Sequence, residues 1–93
     1  MVNRIARRFL ISGEVQGVGF RFFAQRAAAR HQVFGFVKNL EDGRVEAWAE
    51  GPPQNVEAFK SELATGPRFS SVDHFEEINV EPSGNYSSFR IER

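Results

Sequence analysis

Residues Arg7 to His31 read RRFLISGEVQGVGFRFFAQRAAARH, and this stretch decides the fold. Arg7 to Gly13 is apolar and strand-like, with Phe9 and Ile11 on one face and Leu10 on the other. From Phe20 the apolar positions fall at Phe20, Phe23, Ala24, Ala27, Ala28 and His31, the i, i+3, i+4, i+7 spacing of an amphipathic helix. The polar face of that helix carries Gln25, Arg26 and Arg30. Between the two lie Gly13, Gly17 and Gly19, which interrupt the strand-to-helix junction, and Arg21 stands in the first helical turn.

Downstream, Val33 to Leu40 (VFGFVKNL) is β-branched and aromatic, Asp42-Gly43 is a hairpin signal, and Arg44 to Glu50 alternates strictly. Val45, Ala47 and Ala49 take one face of that strand and Glu46, Trp48 and Glu50 the other. Gly51-Pro52-Pro53 ends the hairpin and opens a second helix with Val56, Phe59 and Leu63 on one side, closed by Gly66-Pro67. Val72 to Val80 and Phe89 to Ile91 supply further strand, separated by the turn-rich Pro82-Ser83-Gly84-Asn85. The order β, α, β, β, α, β is that of an α+β, ferredoxin-like sandwich: two helices on one face of a mainly antiparallel sheet of four to five strands. In such a crossover strands 1 and 2 run parallel, so Asn39, at the end of strand 2, should neighbour the glycine loop.

The 93 residues fit a single domain spanning 1–93, small enough to bury only about 60 to 65% of the unfolded surface, with residues 1–6 expected to be disordered. Twelve Lys and Arg balance twelve Asp and Glu, so no global basic field attracts nucleic acid or membrane, and any anion site must be local. Cysteine is absent, which excludes a disulfide framework, a thiolate nucleophile and Cys-ligated zinc. Nothing resembles a signal h-region or a membrane span, and a soluble, cytoplasmic, monomeric protein is expected.

A glycine-rich loop entering a helix N-terminus aims several unpaired N–H groups at one point, and the helix dipole adds to them. Gly17 and Gly19 permit the positive φ that a concave nest needs, and Arg21 offers a planar fork matched to phosphate oxygens. The plainer reading of the same loop is a tight turn with a solvated arginine. The loop is neither a Walker A motif nor a dinucleotide fingerprint. Asn39 likewise reads two ways, as a polar group beside the anion or as a strand-end residue capping the Asp42-Gly43 hairpin.

Gly13 to Arg21, of the form G-x-V-Q-G-V-x-x-R, and Gly35-Phe36-Val37-Lys38-Asn39 through Gly43, Val45 and Gly51 together resemble the paired signatures of the acylphosphatases. The likeness continues through Val56, Phe59, Leu63, Gly66-Pro67 and Phe89-Arg90-Ile91. It implies that the loop 14–20 cradles a phosphoryl group with the N–H groups of Val15, Gln16, Gly17, Val18, Gly19 and Phe20, that Arg21 binds it, and that Asn39 orients the attacking water. It also implies a small-molecule acyl phosphate as substrate, no metal and no cofactor. Glu62 departs from the tryptophan often found there in relatives, a change expected to touch packing rather than the site.

The residues are consistent with that chemistry. Cleaving an alkyl phosphate usually needs a metal pair, an acid or a covalent nucleophile, and no cluster of ligand-spaced carboxylates and histidines is present. An acyl phosphate expels a carboxylate of pKa about 4, which leaves unprotonated. Positioning and charge stabilisation then suffice, and inorganic phosphate or sulfate should act as product-like inhibitors. His31 and His74 read as packing or surface residues, and Glu14, Glu41 and Asp42 as solvated loop carboxylates that would repel a dianion if they served as bases. Phe20 and Phe36 are the aromatics placed to wall a pocket. Two alternatives stand beside this reading: an RNA-recognition module, against which the failed edges of the Phe34-Gly35-Phe36-Val37 match and the neutral charge argue, and a carbamoyl-phosphate-handling domain of a larger assembly.

Overall fold

A computed structural model describes residues 3–93. The elements are β1 (Ile5–Glu14), α1 (Phe20–His31), β2 (Phe34–Asn39), β3 (Val45–Gly51), α2 (Pro53–Thr65), β4 (Ser71–Val80) and β5 (Phe89–Glu92). They form one five-stranded sheet in the order β4-β1-β3-β2-β5. Every pairing is antiparallel except β2 with β5. Both β1 and β2 run opposite to β3, so they are parallel to each other and their C-terminal ends share one end of the sheet. This is the α+β sandwich expected from the element order.

Alternation decides which face packs. Phe9 and Ile11 of β1 pair across with Ala47 and Val45 of β3. Together with Val37 and Ala49 they form a floor under the helices. On α1 the buried positions are Phe20, Ala24, Ala27 and Ala28, and on α2 they are Val56, Phe59 and Leu63. The run of alanines lets α1 lie close to the sheet, since no long side chain holds it off. Phe59 sits over the middle of the core, its ring centroid 6.4 Å from Phe9 and 5.4 Å from Phe89. Gly35 is obligatory at its place in β2. A Cβ there would stand 1.8 Å from the Trp48 carbonyl oxygen, on a backbone at φ +147°.

The helices are also tied end to end. Glu62 of α2 accepts a hydrogen bond from the Arg30 guanidinium and meets His31 Nε2 at 2.5 Å, both residues lying in the last turn of α1. Cations there also favour the negative end of the α1 dipole. Arg30 foremost, together with His31, holds the Glu62 carboxyl below its ordinary pKa although partial burial opposes it.

Two features differ from the sequence reading, one boundary and one side-chain face. The expected disorder of residues 1–6 does not hold for Ile5 and Ala6: both lie in β1, and Ala6 is fully buried. They are held because β3 extends to Gly51 and supplies partners for them. Met1 and Val2 lie outside the described residues. Phe36, expected as a possible pocket wall, lies on the helix-free face instead, since it alternates with the inward-facing Val37. There it stacks on Trp48 at 6.4 Å and meets Tyr86 at 6.0 Å. The aromatic surface that an RNA module would offer to bases is thus engaged by the chain's own rings. No helix among the described residues is long and apolar enough to cross a membrane.

Candidate active site

Gly17 and Gly19 both adopt left-handed backbone, at φ 76° and 78°. A Cβ at either would meet nothing within 4 Å, so conformation rather than crowding is what calls for glycine at these two positions. Gly19 is the N-cap of α1, and its carbonyl accepts the Phe23 N–H at 3.0 Å. Among the described residues, no N–H from Val15 to Phe20 donates to a carbonyl. A run of unpaired donors beside the positive end of a helix is an arrangement suited to an anion.

Three contacts hold this loop in place. The Gln16 side chain turns away from it, and its Nε2 donates to the carbonyls of Leu40 at 2.8 Å and Arg44 at 2.9 Å. Those two residues close the mouth of the β2–β3 hairpin, where the Leu40 N–H donates to the Arg44 carbonyl at 2.8 Å. The glycine loop is thereby clamped to the strand end that carries Asn39. Val18 packs against the core, and Arg21 Nη1 donates to the Glu92 carbonyl at the end of β5, 3.2 Å away.

A small cavity of about 170 Å³ is lined by Val15, Gly17, Gly19, Phe20, Arg21, Phe22 and Asn39. The shared sheet end thus brings together the loop, the arginine and the asparagine that the sequence placed there. Gln16 and Val18 do not line it with their side chains, so only their N–H groups are available for the cradle. Nothing in the sequence singles out Phe22 as a lining residue. Its exposure depends on which way the first turn of α1 faces, and the surrounding apolar residues give no sign of that.

Asn39 carries the most informative atom. Its Oδ1 is shut off from solvent and has no hydrogen-bond partner, the one buried side-chain polar atom so placed among the described residues. A buried acceptor left without a donor costs roughly 1–3 kcal/mol. The hairpin-capping reading of Asn39 therefore fails, because a capping oxygen would be bonded.

No carboxylate lines the cavity. Asp42 instead accepts from the Arg44 N–H at 3.1 Å and Arg44 Nε at 2.8 Å, within the hairpin turn. Arg44 holds its pKa below the ordinary value, through its backbone N–H first of all. Glu14 and Glu41 are exposed. Among the described residues no three His, Asp or Glu side chains converge in metal-ligand fashion. A broader groove of about 910 Å³ lies toward the other end of α1, among Ala28, Val33, Phe34, Pro52 and Phe89. It includes neither the glycine loop nor Asn39, and size does not outweigh the orphan acceptor and the unpaired donors.

Comparison with known proteins converges on one family. Residues 7–91 match the family model described as acylphosphatase. An acylphosphatase of Koribacter versatilis is 49% identical over 86 residues, covering 92% of this chain and 78% of that protein. The crystal structure of acylphosphatase from Bacillus subtilis superposes with a TM-score of 0.92 at 36% identity, covering 96% of this chain and 99% of that one. HypF of T. kodakarensis also contains a similar unit, at a TM-score of 0.84 and 34% identity, covering 96% of this chain but 12% of that one.

Proposed function

The chain belongs to the acylphosphatase family and is a hydrolase of acid anhydrides, and from that premise we propose that it cleaves the carboxyl–phosphate anhydride of small acyl phosphates by positioning alone. The phosphoryl group sits in the cradle of N–H groups from Val15 to Phe20, with Arg21 supplying the fixed positive charge. The Asn39 side chain lines the same cavity, and its carboxamide holds the attacking water with its oxygen aimed at phosphorus. The convergence of the unpaired loop N–H groups, Arg21 and Asn39 on one cavity is the observation that carries the reading.

The steps follow from charge and geometry. Water attacks phosphorus in line as the P–O bond to the acyl oxygen breaks, and the carboxylate departs with that bonding pair. The transition state is loose, with negative charge spread over the three equatorial oxygens. Donors already aimed at those oxygens stabilise it without reorganising. A carboxylate of pKa about 4 needs no acid to leave, and a substrate phosphate oxygen takes the proton from water. The products are a carboxylate and inorganic phosphate.

The test uses benzoyl phosphate beside an aryl phosphate ester. The anhydride should be hydrolysed and the ester barely touched, because the ester's leaving group is far more basic. Comparable rates on both would overturn the reading. The match to a small part of HypF keeps a domain-in-assembly reading as the alternative, for which carbamoyl phosphate is the substrate to try.

A further inference from the structure

Two large apolar side chains are strongly exposed among the described residues, Phe22 at 65% and Phe69 at 79%. They differ in surroundings. The Arg68 guanidinium lies over the Phe69 ring, 5.7 Å from its centroid, whereas Phe22 has no ring or cation against it among the described residues. Phe22 directly follows Arg21 and lines the same cavity as Asn39. Phenylalanine is a poorer helix former than alanine or leucine, and exposure gains it no burial energy, so neither local structure nor packing accounts for it there.

Resting on the acyl-phosphate reading above, we infer that Phe22 is a specificity-determining residue whose ring receives the acyl group of the substrate and favours aromatic and bulky aliphatic acyl phosphates over acetyl phosphate. In-line displacement puts the leaving group on the far side of phosphorus from the attacking water. The water is held at the Asn39 side of the cavity, so the acyl oxygen points away from it, toward solvent. The cavity of about 170 Å³ holds a phosphoryl group and a water, each water needing roughly 30 Å³, and leaves a ring-sized acyl group at its mouth. Phe22 is the lining side chain that extends into solvent. A benzoyl ring meeting it at the mouth removes apolar area from both, and offset or edge-to-face contact adds to that. The methyl of an acetyl group is too short to share in most of this contact.

The experiment compares kcat/KM for benzoyl phosphate and acetyl phosphate in the wild-type protein, Phe22→Ala and Phe22→Leu, with the inhibition constant for inorganic phosphate measured in each. Phe22→Ala should lower the benzoyl-to-acetyl ratio by about three- to tenfold, the effect of losing one aromatic contact. Phe22→Leu should fall between, and phosphate inhibition should change less than twofold in both. An unchanged ratio would overturn the inference, and so would a weakening of phosphate inhibition that matches the loss on benzoyl phosphate, since that signals a distorted cradle. If the wild-type protein hydrolysed neither substrate, it is the underlying reading that would fail.

Discussion

At one end of the sheet the Glu50 carboxylate is fully buried and meets four donors: Trp48 Nε1 at 2.7 Å, the Ser83 hydroxyl at 2.7 Å, and the N–H groups of Ser83 and Gly84 at 3.0 and 3.1 Å. At the opposite end, the loop from Val15 to Phe20 offers N–H groups of the same kind with no carbonyl to receive them. Both regions gather main-chain donors of the kind that can surround an anion. The first is filled by the chain itself and fastens the 81–86 segment across the helix-free face. The second is left open, and the one buried side-chain acceptor without a partner among the described residues belongs to Asn39, which lines it. A satisfied cradle contributes to stability, while an open one is available to a substrate. The contrast teaches that the same donors serve either end, depending on whether the sequence provides the anion.

The strongest way to break this contrast is to remove groups from the open end. Asn39→Ala should cut kcat by about 100-fold or more, the scale of losing one positioned polar group, and leave the phosphate inhibition constant near its wild-type value. Arg21→Ala should lower kcat and weaken phosphate together, and Arg21→Lys should recover little, since a point charge does not reproduce the fork. Steady-state kinetics with phosphate as competitor, beside circular dichroism to confirm folding, separate the two. An Asn39→Ala protein that lost phosphate as severely as Arg21→Ala would erase the division of labour.

Emptying the closed end should have the reverse signature. Glu50→Ala strands the Trp48, Ser83 and Gly84 donors, and each buried group left unpaired costs roughly 1–3 kcal/mol. A destabilisation of about 2 kcal/mol or more is expected in urea unfolding, with kcat unchanged once the protein is held in its folded range.

Filling the open end should stabilise the protein. Phosphate at ten times its dissociation constant should add about 1.4 kcal/mol by mass action, a rise of several degrees in melting temperature for a domain of this size. The same addition to Arg21→Ala should give a far smaller shift.

The smallest expected change comes from acid. Burial alone would raise the Glu50 pKa, but the hydrogen bonds from Ser83, Trp48 and Gly84 outweigh it and leave the pKa below the ordinary 4.5. A depressed carboxylate contributes stability above its unfolded pKa and loses it as the pH falls through the folded value. The wild-type unfolding midpoint should therefore drop more steeply below pH 4.5 than that of Glu50→Gln, which has no such proton to bind. Parallel acid limbs would show that Glu50 is not a charged staple.

The sequence by itself determined what is local or periodic. The 3.6 period of Phe20 to Ala28, the alternation of Val45, Ala47 and Ala49, and the glycines of the loop each follow from the backbone geometry their residues favour. Their order decided the crossover that sets Asn39 beside the loop. Only the tertiary structure decided partners distant in the chain. Alternation put Glu50 on the helix-free face, yet nothing near it in sequence showed that Ser83 and Gly84 would cross over and bury it. The Gln16 clamp on Leu40 and Arg44 and the Glu62 link to Arg30 and His31 were hidden for the same reason. The exposure of Phe22 and the orphan state of the Asn39 oxygen are further still from sequence, because solvent access belongs to the assembled surface. Hydrophobic period acts over a few residues, whereas side-chain partners are chosen by packing across the whole sheet.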